Sequence, residues 1–183
     1  RLAQAYLTTA SASLAIQQSV QPKAREWLDD WEDIHLTSGG RTGDTHLPIV
    51  AQYRQEAREL LENGDVQRGL IVLATAELQY SLFLDAKYAD TYLLLGDVYR
   101  QLKMPAEAAV TYAEGVRVKY NLLSDSQLSA RISFLASAKQ LGPLAQAYRG
   151  VVEENTFALA RTDVTRTEAA ITTLQRRVAE SAQ

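Results

Sequence analysis

Two histidines, one run of carboxylates and one glycine-rich segment are the places where this chain could carry chemistry. His35 and His46 flank the segment TSGGRTGD and belong to no metal-binding spacing such as H-E-x-x-H, so they are expected as solvated residues at loop and helix ends. The stretch WLDDWEDIH gathers Asp29, Asp30, Glu32 and Asp33, a set that could hold a hard cation or meet a basic partner. On a helix, however, Trp27 and Trp31 face one way and Asp29, Asp30 and Asp33 mostly another. That is the pattern of a solvated acidic face opposite an apolar one. The segment SGGRTGD has the composition of a phosphate cradle but lacks the GK[ST] ending of a P-loop and follows no strand, so it reads as a linker. No Ser/His/Asp set has a recognisable context. The chain has no cysteine, which removes disulfides, thiol catalysis and thiolate metal sites. The expectation is a protein that is not an enzyme, with no catalytic residue, metal or cofactor.

What must position these residues is helix. The chain has 183 residues, 46% hydrophobic and 22% charged, the balance of an ordinary globular protein. Its net charge of -3 gives no overall footprint for nucleic acid. No apolar run approaches the roughly 18 residues that span a bilayer, so no membrane insertion is expected. The chain opens at Arg1 without an initiator Met and is expected to be a fragment or processed form.

A first helix is expected over about Leu2 to Val20, although its TTASAS centre has poor helix propensity. A second is expected from Pro22, a residue suited to a first helical turn, to about Leu36, with Ala24, Trp27, Leu28, Trp31 and Ile34 on one face. After the linker, helical hairpins follow: about Ile49–Glu62 with Val66–Phe83, Ala89–Leu102 with Ala106–Val118, and Asp125–Gln140 with Pro143–Leu159. A last helix starts near Asp163. The chain is thus expected to divide into a helical pair with linker over 1–46, and hairpins over 47–183 (about 49–88, 89–124 and 125–160) closed by a helix over 162–182.

The hairpins repeat. The turns LLENGDVQRGL, YRQLKMPAEAA and AKQLGPLAQAY superpose with Gly64, Lys103 and Gly142 at one position, each 39 residues from the last. A small residue then recurs as Gly69, Ala108 and Ala147, and a larger one as Leu73, Tyr112 and Val151. A fixed period of tens of residues is the mark of stacked supersecondary units. In such units a small residue is expected where two helices approach, which accounts for Gly96 inside a helix despite a cost of about 1 kcal/mol.

The unit from Ala89 to Tyr120 resembles the tetratricopeptide (TPR) repeat. The pattern W-x2-L-G-x2-Y … A-x3-F … P meets Tyr92, Leu95, Gly96, Tyr99, Ala108 and Tyr112 at the right spacings, with Tyr120 where the family has proline. The resemblance covers about residues 49–160. It implies antiparallel hairpins stacked as a short right-handed TPR-like solenoid; with the N-terminal helical pair and the C-terminal capping helix read from the residues themselves, the expected fold is all-α. The resemblance also implies that the first helices of the hairpins line a concave ligand surface. Counting from the matched unit, Asp90, Leu93, Asp97 and Arg100 would face inward. One period earlier lie Ala51, Arg54, Arg58 and Leu61, and one period later Ser129, Ile132, Ala136 and Lys139.

Arg54, Arg58, Arg100 and Lys139 would then form a basic strip for an acidic peptide, a chain terminus or an anionic sugar. The function so implied is a non-catalytic scaffold binding a protein or peptide in its groove. The alternative is a regulatory, extracytoplasmic domain of a larger bacterial membrane protein such as a surface-polysaccharide polymerase or ligase. The last helix reads as a polar cap or as a short coiled coil joining a homodimer.

Overall fold

The computed structural model describes residues 2–32, 48–119 and 125–155, together with helical positions scattered between 169 and 180. The linker with His35 and His46, and most of the expected final helix, lie outside the described residues. Eight helices, and no strand, are found among those described: α1 (Leu2–Ala10), α2 (Leu14–Glu32), α3 (Pro48–Glu62), α4 (Val66–Leu84), α5 (Ala89–Gln101), α6 (Pro105–Val118), α7 (Asp125–Ser137) and α8 (Gly142–Asn155). The chain is all-α. None of the described helices is long and apolar enough to cross a membrane. The chain divides into two compact units, Arg1–Leu84 and Asp85–Gln183.

In the first unit α4 is the central element, flanked by α3 and α1. Its run Gly69, Leu70, Val72, Leu73, Ala74, Thr75, Ala76 and Leu78 is buried nearly all round, as a helix clamped between two neighbours must be. Tyr6, Leu7 and Ala10 of α1 and Val50, Ala57 and Leu61 of α3 complete this core.

The expected first helix ends early. α1 stops at Ala10 and the chain breaks over residues 11–13. Here hydroxyls compete with the ladder: Thr8 Oγ1 donates to the Gln4 carbonyl, Thr9 Oγ1 to Ala5 and Ser11 Oγ to Leu7. Gln17, itself buried, donates from Nε2 to the carbonyls of Ala10 (3.0 Å) and Ala12 (2.9 Å), closing the end of α1. Nor does Pro22 start a helix: α2 runs through it. An interior proline costs on the order of 3 kcal/mol. Its neighbours offset this from outside the helix. Gln21 donates to the Leu61 carbonyl at the end of α3, and Arg25 Nη2 donates to the same oxygen at 2.6 Å.

In the second unit α6 is central, packed on α5 and α8. Leu95, Val98 and Tyr99 of α5, Ala108, Ala109, Tyr112, Ala113 and Val116 of α6, and Leu144, Ala145 and Tyr148 of α8 form the core.

Three hairpin turns close alike, with a left-handed residue beyond the first helix. Gly64 (φ 81°), Lys103 (φ 59°) and Lys139 (φ 57°) hold this position. In each turn the amides of this residue and of the next donate back to the helix: Gly64 and Asp65 to the Leu61 and Leu60 carbonyls, Lys103 and Met104 to Arg100 and Tyr99, Lys139 and Gln140 to Ala136 and Leu135. The spacing is therefore 39 residues and then 36, not 39 twice. The expected register of the third turn is corrected: Gly142 opens α8, with open space where a Cβ would lie, and Lys139 makes the turn. The letters Gly-Pro had set the register, whereas the left-handed cap after α7 is what the backbone repeats. On the corrected register Tyr148 of α8, not Val151, answers Tyr112.

The chemistry of the turns differs. Gly64 adopts a positive φ without steric cost, and Asp65 caps α4 by accepting the Arg68 amide at 3.3 Å. At Lys103 and Lys139 a residue with a Cβ is held left-handed, at about 1–2 kcal/mol. A cation beside a helix C-terminus recovers only about 0.3–1 kcal/mol.

Candidate functional site

On α5 the residues Asp97 and Arg100 lie one turn apart, and Asp97 is the acceptor around which the second unit is tied. Tyr112 of α6 donates its hydroxyl to Asp97 Oδ1 at 2.7 Å. Arg131 of α7 donates from Nη2 to Oδ2 at 2.5 Å, with its guanidinium carbon 5.6 Å from the centre of the Tyr112 ring. Arg100 Nε approaches Oδ1 only to 3.6 Å.

The fit has a sequence origin. Gly96, next to Asp97, leaves the space that the Tyr112 ring fills: a Cβ there would lie 2.3 Å from Tyr112 Cε1. Thus the small residue in the middle of α5 makes room for an aromatic side chain of the paired helix, and the ring delivers its hydroxyl to the carboxylate beside it. Burial raises the Tyr112 pKa above the usual tyrosine value. The hydrogen bond to Asp97 and that carboxylate's charge act in the same direction, partly opposed by Arg131 and Arg100. One carboxylate thus faces two guanidinium groups. Arg131 is buried and closely bound, while Arg100 is 43% exposed and loosely bound, so the excess positive charge reaches solvent at Arg100.

The other members of the expected basic strip sit differently. Arg54 is only 4% exposed and forms an ion pair with Glu77 of α4, with Tyr6 of α1 near enough to feel both charges. Burial, and then the Glu77 charge, push the Tyr6 pKa up. Arg54 is therefore a buried tie between α3 and α4. Arg58 Nη1 pairs with Asp29 Oδ1 of α2 at 2.6 Å, so part of the acidic WLDDWEDIH face is used within the first unit. Lys139 lies beyond the end of α7 in the left-handed turn, exposed, on no helix face.

Of the residues matching the repeat pattern, Leu95, Gly96, Tyr99, Ala108 and Tyr112 are buried, while Tyr92 is half-buried, its pKa raised by burial and by Glu114. The side chains of Trp27, Trp31 and Asp30 fall outside the described residues, as do Glu32's side chain and Asp33. No group of three or more potential metal ligands occurs among the described residues.

Sequence reasoning missed Arg131 and the polar role of Tyr112. Arg131 interrupts an otherwise apolar and small-residue stretch of α7 (ARISFLAS), the one available sign that a charge there is paired. Comparison of the chain with family models, with curated proteins and with solved structures found no match.

Proposed function

We propose that this chain is a non-catalytic binding scaffold, a short right-handed TPR-like solenoid whose first helices hold a protein or peptide. The observation that carries the reading is the recurrence of one hairpin. Gly64 and Lys103 close successive hairpins 39 residues apart in the same left-handed cap, and the same offset joins the buried small residues Gly69 of α4 and Ala108 of α6. Repeated hairpins of this kind stack to give extended surfaces suited to partners. Supporting it on α5 are Leu93 and Asp97, half-buried, and Asp90 and Arg100, exposed: a partly apolar, partly charged surface one helix wide.

The test is selection of peptides from a random library on the folded chain, followed by nuclear magnetic resonance mapping of the selected peptides. Shifts concentrated at Asp90, Leu93, Asp97 and Arg100 are expected, and Arg100→Glu should weaken binding at least tenfold with an unchanged Tm. Arg54 is unsuitable for this test because reversing it breaks a buried ion pair. Selected peptides that map instead to the outer face of α6, around Val110 and Arg117, would defeat the reading.

A further inference from the structure

We infer that the side of α1 carrying Leu2, Ala5 and Thr9 is a contact surface for a second copy of this chain, the two α1 helices pairing antiparallel about a two-fold axis. The inference concerns the first unit alone and does not rest on the scaffold reading.

α1 has a counterpart within the chain. Its residues Leu2, Ala3, Gln4, Ala5 and Tyr6 recur letter for letter as Leu144, Ala145, Gln146, Ala147 and Tyr148 of α8. The two helices also hold the same place in their units. Each packs on the second helix of a hairpin, α1 on α4 and α8 on α6. Each buries the same alanine and tyrosine, Ala3 and Tyr6 in one, Ala145 and Tyr148 in the other.

They part on the neighbouring side. Residues three and four apart share one side of a helix, so Leu2, Ala5 and Thr9 form a stripe of α1, and Leu144, Ala147 and Val151 the same stripe of α8. In α8 the stripe is covered: Leu144 is fully buried, Ala147 is 1% exposed and Val151 5%. In α1 it is open: Leu2 is 51% exposed, Ala5 is exposed and Thr9 half-buried. Identical letters are thus finished with cover in the second unit and left without it in the first.

The chemistry of the stripe selects the cover. α1 has no charged residue, whereas the outer side of a surface helix ordinarily carries charge. It therefore offers no ion pair to choose a foreign partner, and no like charge to turn away a copy of itself. Ala5 lies between the two larger residues of the stripe. Set antiparallel against a second copy, Leu2 meets the methyl of Thr9 of the partner subunit. Ala5 then meets Ala5 of the partner subunit on the axis, where short side chains let the helices come close. Such a contact is isologous, each copy supplying both members of every pair. Leu14 and Ile16, both exposed, enlarge it at the Thr9 end, where Gln17 holds the first turn of α2 to the Ala10 carbonyl.

The experiment uses the whole chain, whose lack of cysteine lets one introduced thiol report on one position. Sedimentation equilibrium over a roughly hundredfold range of concentration should show monomer passing into dimer, and Tm should rise with concentration. Leu2→Asp/Ala5→Asp should weaken dimerisation at least tenfold and leave the Tm of the dilute chain little changed, because both positions are exposed in the monomer. Ala5→Cys should give a disulfide-linked dimer on mild oxidation, since residues on the axis come within the Cα spacing of about 4.4–6.8 Å that a disulfide requires. Val110→Cys, exposed on α6, should not link. A chain that stays monomeric throughout, a dimer unmoved by the two aspartates, or linking at position 110 as readily as at position 5 would each overturn the inference. So would a monomer whose thiol at position 5 is shielded by an added peptide of residues 125–140, which would give the face to a separate helix.

Discussion

A Cβ at Gly96 would meet three atoms of one rigid ring, the closest at 2.3 Å, whereas a Cβ at Gly69 would meet the branched end of Leu61 at 2.9 Å and 3.0 Å. The first contact can be relieved only by moving Tyr112 and with it the hydroxyl on Asp97; the second yields in part to a shift of the Leu61 side chain, leaving the Leu61 backbone nitrogen at 3.3 Å. Gly96→Ala should therefore destabilise by about 1–3 kcal/mol, and Gly96→Leu by more, with Gly69→Ala costing distinctly less. Gly142→Ala, which meets nothing, should be neutral. Thermal melts of the variants check the order, and equal costs at positions 69 and 96 would contradict the ring-packing account.

The two buried tyrosines make a second residue-level expectation. Their folded pKa values are raised above the ordinary value near 10. The folded chain then holds these protons more tightly than the unfolded one. Their contribution is complete below pH 10 and is lost as pH climbs from there toward the folded values. Denaturant midpoints should fall on that alkaline side. Tyr6→Phe and Tyr112→Phe should each lessen the fall, and a pH-independent midpoint would refute it.

Among elements, the two arginines expected to act alike are separated by burial. Arg54 ties α3 to α4 from inside, so Arg54→Met should cost about 3 kcal/mol by removing the buried guanidinium that pairs with Glu77. Arg100→Met, on the open side of α5, should change stability by no more than about 0.5 kcal/mol. Urea titrations distinguish the two outcomes. Asp65→Ala should cost about 1 kcal/mol by uncapping α4.

These contrasts also show what was legible in the residue order. Apolar spacing located every hairpin helix from α3 to α8 to within a few residues, because one side of each had to be apolar. The pairing of Gly96 with Tyr112 was half legible: the small residue marked a close approach, but the letters could not say that a ring would fill it. The break at residues 11–13 and the passage of α2 through Pro22 were not legible. Each depends on side chains remote in sequence or on rotamers, Gln17 for the one, Gln21 and Arg25 reaching Leu61 for the other. Arg54 and Arg58 share a helix with residues of both faces, and spacing alone does not tell a charge buried beside Glu77 from one in water. The basic strip therefore dissolved, while Asp97 gained two partners that no local pattern announces.

At the scale of the molecule, each unit is organised round one helix with neighbours on two sides, α4 in the first and α6 in the second. Amides in the middle of these two helices should exchange hydrogen more slowly than those of any other helix in their own unit, since exposing them requires opening the whole unit. Faster exchange in α4 than in α1 would show that the first unit is not built round it.

The position of α1 along α4 carries a consequence in time. Among the described residues α1 packs mainly on α4, which begins at Val66, about sixty residues after Tyr6 and Leu7. On a ribosome adding about 5–20 residues each second, that interval is about 3–12 s, during which the apolar side of α1 lacks its main neighbour. The second unit makes no such demand, since α6 follows α5 across a tight turn and the hairpin can close as it emerges. Synthesis therefore leaves the nine-residue α1 without its main neighbour through that interval, in which a nascent-chain binder would find its apolar side open.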